Sequence, residues 1–267
     1  MTRTLCDMLG RRLTLAWPPR RVVSLVPSHT ETLLLLGLGE RLVGRTRFCV
    51  EPRGQVESVP EVGGVKSPHI RAVLDLGPDL VIANREENRK SDVERLEAAG
   101  VPVFLTYPRS VSEGIASIRA LGAAVDLGPA AEAAARRCEA VLEDPPRPPR
   151  ADALCCVWKD PWMVVGGDTY IHDVLARAGA RNVAAGLPGR YPKVDLAQAM
   201  ALRPEVVLLP DEPYAFRAED RADFAPFGSV PAVRDGRLEL VDGKALSWYG
   251  PRIATALPAL RTLFERG

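Results

Sequence analysis

Aromatic side chains are scarce: four Trp, five Tyr and six Phe make up 6% of 267 residues. The core must therefore be filled mainly by aliphatic residues, and aromatics gathered elsewhere call for a reason. No apolar run approaches the roughly 18 residues of a membrane-spanning helix, which argues against membrane insertion. Neither sign of charge is in excess. Thirty-five basic residues face 34 acidic ones, for a formal net charge of +1, so a nucleic-acid partner is not expected. The five cysteines, Cys6, Cys49, Cys138, Cys155 and Cys156, form no CxxC pair, and their odd number argues against a disulfide framework. Cys155 and Cys156 fall within one expected strand, point to opposite faces and read as small core residues. There is no HExxH, no GxSxG, no phosphate loop and no GxGxxG after a strand; Gly37-Leu38-Gly39 closes a helix instead.

What the chain does contain is an internal likeness. Residues 70–84 read IRAVLDLGPDLVIAN and residues 196–210 read LAQAMALRPEVVLLP. Each is a short helix, then Leu-x-Pro-acidic, then apolar β-formers. Upstream, RVVSLVPSHTETLLLLGLGERLVG and ALCCVWKDPWMVVGGDTYIHDVLARAGARNVA each give a strand, a loop, a helix and a glycine-containing exit. Between the halves, residues 110–144 read as one long helical connector. Ser110 or Ser112 caps it, Ile115, Ile118, Leu121 and Val125 recur at helical spacing, and Gly128-Pro129 is expected to bend or interrupt it. Pro145-Pro146-Arg147-Pro148-Pro149 ends it. The expectation is an α/β chain of two Rossmann-like lobes, residues 1–109 and 145–267, joined by the connector 110–144, with a ligand in the cleft between them.

The first half is expected to open with a hairpin to about residue 20, followed by strands at 22–25, 42–46, 80–83 and 101–106. A Ser28–Glu31 capping box starts the first helix. The second half offers strands at 153–158, 163–165, 206–209 and 238–241, and a closing helix over 253–266. In open parallel sheets, ligands sit beyond the carboxyl ends of the strands. The loops there hold Phe48, Tyr107, Trp158, Trp162, Tyr170, Tyr191, Tyr214, Trp248 and Tyr249, and every tryptophan except Trp17. Clustered aromatics suit a flat, partly apolar ligand; the alternative is that each plugs its own lobe. Arg47, Arg85 and Arg190 are placed to pair with carboxylate or phosphate groups at a ligand's edge. His29, in the loop after the first strand, is a candidate for facing the cleft, against a solvated or capping role. His172 reads as structural. Asp160, Asp168, Glu86, Glu87 and Glu212 read as solvated loop charge, and Cys49 is a nucleophile candidate without a visible partner.

With these pieces in place the chain resembles the helical-backbone, or class III, substrate-binding proteins that take cobalamin, haem and ferric siderophores to ABC importers. The matching stretches, from about residue 21 to 263, are RRVVSLVPSHTETLLLLGLGERLVG, PEVGGV, LDLGPDLVIAN, VERLEAAGVPV, VGGDTYIHDVLARAGARNV, YPKVDLAQAMALRPEVVLL and GPRI. The likeness is to the cobalamin-binding branch, in which aromatics corresponding to Phe48 and Tyr191 line the cleft. Trp158, Trp162 and Trp248 join them by loop position. The resemblance also implies two docking glutamates for a permease, but Arg71 and Ala197 stand at those positions, and Val65 replaces an aromatic floor residue. RTRFCVEP, ANREENRK, WKDPWMVVGGDTYIHD and SWYGPRI are shared with a signal-less subgroup of these receptors.

The expectation is thus a monomeric binding protein without enzymatic activity or intrinsic cofactor. Its ligand is a metal-containing macrocycle or chelate, a corrinoid first, with haem and a ferric siderophore as alternatives. An ABC permease partner is left open. Residues 1–20 lack the apolar core of a secretory signal, and the chain is therefore expected to be cytoplasmic, the alternative being an extracytoplasmic protein whose signal has been removed. The competing reading is an enzyme or intracellular metal-handling protein on the same scaffold, using Cys49, His29 and nearby carboxylates.

Overall fold

The computed structural model describes residues 1–143 and 148–265. Asp144, Pro145, Pro146 and Arg147 lie outside the described residues, as does Arg266, assigned above to the closing helix; the connector helix, expected to reach residue 144, already ends at Glu139. The chain divides into two compact units. The first comprises Met1–Pro108, Ser112–Glu139 and Tyr249–Pro251; the second comprises Arg109–Val111, Ala140–Trp248 and Arg252–Gly267.

The first half of the chain runs β1 (Thr2–Cys6), β2 (Arg12–Ala16), β3 (Val22–Ser24), α1 (Pro27–Leu35), β4 (Leu42–Arg45), α2 (Ile70–Asp75), β5 (Leu80–Asn84), α3 (Lys90–Ala98), β6 (Val103–Thr106), α4 (Val111–Ala124) and α5 (Gly128–Glu139). β1 and β2 form an antiparallel hairpin. The other four strands make a parallel sheet in the order β4-β3-β5-β6. Alternate residues serve two cores. Val22, Leu80 and Ile82 pack with Leu33, Leu34 and Leu121 on one face, while Val23, Val81 and Ala83 pack with Val73, Val93 and Leu96 on the other. A parallel strand covered on both faces has no use for polar alternation, which is why these strands read as unbroken apolar runs.

The second half runs β7 (Ala151–Trp158), β8 (Met163–Val164), α6 (Tyr170–Ala178), β9 (Ala180–Asn182), α7 (Leu196–Ala201), β10 (Val206–Pro210), α8 (Pro231–Arg234), β11 (Leu238–Val241), α9 (Gly243–Ser247) and α10 (Ile253–Glu265). β11, β10 and β7 are parallel neighbours. The free edge of β7 is shared by β9, parallel along Ala151 to Ala153, and β8, antiparallel at Cys156 and Trp158. Counting the parallel strands of each unit in chain order, both sheets run second, first, third, fourth.

The Leu-x-Pro-acidic repeat has a physical job. Asp79 accepts the backbone N–H groups of Arg20 (2.7 Å) and Arg21 (3.0 Å), just before β3. Glu205, its counterpart, accepts the N–H of Asp152 at 2.8 Å, near the start of β7. Each clips the third strand of its sheet to the first. The preceding turn needs a left-handed residue, and both halves supply one, Gly77 at φ 56° and Arg203 at φ 54°. Gly77 takes that conformation without the Cβ penalty that Arg203 bears.

Two local expectations are corrected. α1 begins at Pro27 with Val26 as N-cap and no side-chain cap, so Ser28 and Glu31 lie inside the helix and form no capping box. Proline, lacking an N–H and fixed near the helical φ, suits the first helical position. The connector is helical but divided: α4 and α5 are separated at residues 125–127, with Asp126 at φ 60°, and Gly128-Pro129 open α5. Arg119 reaches both Glu132 (2.6 Å) and Glu139 (2.7 Å). In a straight helix the 20 residues from Arg119 to Glu139 would span about 30 Å, so the chain folds back here. Gly122 permits it, since a Cβ there would lie 2.2 Å from the Ala131 Cβ.

Asp79→Ala should lower unfolding stability by about 1–3 kcal/mol, with Glu205→Ala, which loses one bond instead of two, costing less. Urea denaturation midpoints at unchanged m-value would measure both.

Candidate functional site

The loops at the carboxyl ends of the first unit's strands hold two guanidinium-over-ring pairs. Arg47 lies 5.2 Å from the centroid of Phe48, and Arg85 lies 5.1 Å from that of Tyr107. Phe48 is 52% exposed. The turn at residues 63–67 lies beside the first pair: Arg47 N–H donates to the Gly63 carbonyl, and a Cβ on Gly64 would lie 3.5 Å from both the Arg47 Nη2 and the Phe48 ring. Among the described residues, neither guanidinium has a carboxylate within 4.0 Å.

His29 does not face solvent. It lies in the first turn of α1, fully buried, its Nε2 sharing a 2.6 Å hydrogen bond with the Thr106 hydroxyl. Burial drives its pKa down to about 3, so the ring is neutral at physiological pH. Tyr249, grouped with the first unit, stacks at a tilt 5.2 Å from His29 and donates its hydroxyl to Glu87. Burial and then the Glu87 carboxylate hold the Tyr249 pKa well above the usual phenol range. Glu87 is thus a buried partner's acceptor more than a loose loop charge. Cys49 is likewise fully buried, its sulfur accepting from the Thr30 hydroxyl at 3.1 Å, and desolvation raises its pKa. A thiol kept protonated and out of reach is no nucleophile. Among the described residues no three His, Cys, Asp or Glu side chains are grouped to hold a metal ion.

In the second unit five aromatics form one continuous chain. Trp158, 41% exposed at the end of β7, meets Tyr214 edge-on at 5.7 Å. Tyr214 meets Phe216 at 4.7 Å, Phe216 stacks on Trp162 at 5.7 Å, and Trp162 meets the buried Phe224 at 5.4 Å. Trp162 therefore packs against its own unit's core. Above it, Lys159 is clamped by Asp220 (2.7 Å) and Asp223 (2.6 Å). Trp248 is also interior: it hydrogen-bonds Glu212, and Arg252 lies 5.3 Å from its ring centroid. Tyr170 is buried in the first turn of α6. Tyr191 is half-buried, and its neighbour Arg190 pairs with Asp168 at 3.0 Å. A Cβ on Gly166 would lie 2.3 Å from the Gly189 carbonyl, so glycine is required where the 189–192 segment crosses. Arg71 and Ala197 are exposed at matching second positions of α2 and α7, with Arg71 paired to Asp75 at 2.8 Å.

The chain is similar to known proteins. The family model described as "Periplasmic binding protein" matches residues 22–244. An uncharacterised ABC transporter substrate-binding lipoprotein of Bacillus subtilis, YvrC, is 28% identical over 96% of this chain and 83% of its own length. A vitamin B12-binding protein of Vibrio parahaemolyticus is 28% identical over 93% of this chain and 90% of its own. Among solved structures, a periplasmic heme-binding protein from Pseudomonas aeruginosa superposes with a TM-score of 0.78 at 28% identity, covering 92% of each chain. These relatives correct the expectation of a cytoplasmic protein, since they are described as a lipoprotein and as periplasmic. That expectation rested on residues 1–20, most of which form the β1–β2 hairpin.

Because the folded state resists protonating His29, that contribution to stability is complete above pH 6.5 and is lost as pH falls from 6.5 toward 3. Over that interval wild type should lose up to about 1.4 kcal/mol per pH unit more than His29→Gln. Chemical denaturation at a series of pH values measures the difference in slope.

Proposed function

The chain belongs to the periplasmic binding protein family, and from that premise we propose that it is an extracytoplasmic substrate-binding protein for a metal-containing macrocycle or chelate. It holds the ligand without transforming it and delivers it to an ABC importer. A corrinoid is the first candidate. The observation that carries the reading is where exposed aromatic rings occur. Among the described residues, the exposed large hydrophobic side chains include two aromatics, Phe48 and Trp158, and both stand at the carboxyl ends of parallel strands. Exposed rings at strand ends offer a flat, partly apolar partner a large contact area. The vitamin B12-binding relative supports the corrinoid, and the Bacillus relative supports the import role. Contact with a permease would not rest on carboxylates at positions 71 and 197.

A second reading, haem or a ferric siderophore, is favoured by Arg47 and Arg85. Guanidinium groups held over rings, and with no carboxylate within 4.0 Å among the described residues, suit carboxylates on the rim of an anionic chelate. The heme-binding neighbour supports it. An enzymatic reading is disfavoured, because the relatives are described as binding proteins and the groups it would use, His29 and Cys49, are buried.

Titration with cyanocobalamin, haemin and a ferric siderophore, followed by visible absorbance, is expected to give a saturable one-to-one shift with one of the three. Phe48→Ala and Trp158→Ala should each weaken that complex about tenfold or more. If none of the three shifts its spectrum or raises the melting temperature, the reading is wrong.

A further inference from the structure

The ANREENRK stretch, conspicuous in the sequence, carries two buried asparagines that link the first unit's strand exits. Asn88 uses its whole carboxamide. Its Oδ1 accepts the N–H of Asn84 at 2.8 Å, and its Nδ2 donates to the carbonyls of Leu25 (3.2 Å) and Val65 (3.0 Å). One side chain thereby ties the end of β5, the exit of β3 and the 63–67 turn. Asn84 continues the network: its Oδ1 accepts the N–H groups of Glu86 (2.8 Å) and Glu87 (3.1 Å), and its Nδ2 donates to the Thr106 hydroxyl (3.1 Å), beside Tyr107. Lys66, from the turn, closes the circuit on the Glu86 carbonyl at 2.5 Å.

We propose that Asn88 is the positioning residue for this half of the ligand site, fixing the Arg85–Tyr107 and Arg47–Phe48 pairs in one arrangement before ligand arrives. The inference rests on the ligand reading above. Arg85 follows Asn84 directly, and the turn that Asn88 grips through Val65 lies beside Arg47 and Phe48. Both pairs are thus hung from one buried amide that touches neither. Chemistry explains why the residue is Asn. Aspartate would keep the acceptor for Asn84 but turn an oxygen toward two carbonyls, replacing two donations with repulsion. Rigid support of this kind raises affinity by removing the ordering cost from binding.

The test compares Asn88→Asp with Asp79→Ala, a destabilised control whose lesion lies at the amino ends of the strands. In the unliganded proteins, amide hydrogen exchange at residues 63–67 and 84–88 should quicken in Asn88→Asp alone. For whichever of cyanocobalamin, haemin or ferric siderophore binds wild type, the dissociation constant should rise about 10- to 100-fold in Asn88→Asp and stay within about twofold in the control. Unchanged exchange at either segment overturns the proposal, as does loosening with unchanged affinity. Should no probe bind wild type, the ligand reading fails, and the exchange pattern alone decides whether Asn88 couples the two segments.

Discussion

The strands at the centre of each unit are sealed on both faces. β3, β5 and β10 are buried along their entire lengths, with apolar partners above and below. Such a layer leaves no surface on which to place chemistry, so polar and aromatic function is pushed to the points where strands end. The same sealing explains why the strand exits are so heavily cross-bonded. A loop leaving a dry layer must satisfy its own amides and carbonyls, and Asn84, Asn88 and Thr106 supply that service.

The repeat was legible in the sequence because its signal is local. A short helix, a Leu-x-Pro-acidic turn and a β-run sit within 15 residues, and both sheets adopt the same strand order. The structure carries the likeness past the letters: Arg203 takes the left-handed backbone that Gly77 takes, although nothing in an arginine announces it. The aromatic loops were legible only as a group. Whether a loop tryptophan is wet or dry depends on distant chain, and Phe216 and Phe224, more than 50 residues on, are what half-bury Trp162. Trp158 escapes because its neighbour Tyr214 meets it edge-on and leaves it partly open.

The polar residues show the opposite failure. Glu86 and Glu87 read as solvated loop charge, yet Asn84 and Asn88, which flank them, are buried. Ser28 resembles a cap, which puts His29 near a loop; Pro27 starts the helix earlier and carries the imidazole inward. A spacing rule cannot see which of two adjacent start signals wins, whereas the fixed ring of proline decides it.

The first unit is stitched from three separate stretches, the last only Tyr249–Pro251. Gly250, at φ 133°, nestles where a Cβ would lie 2.4 Å from the Thr32 hydroxyl, and the Cys138 thiol reaches the Gly250 and Pro251 carbonyls. During synthesis, then, the amino-terminal unit cannot finish when its own strands have emerged. His29 and Glu87 wait for a tyrosine made some 160 residues after Glu87. The chain must be made at least as far as Pro251 before that unit is complete, which makes its assembly a late event despite its early start.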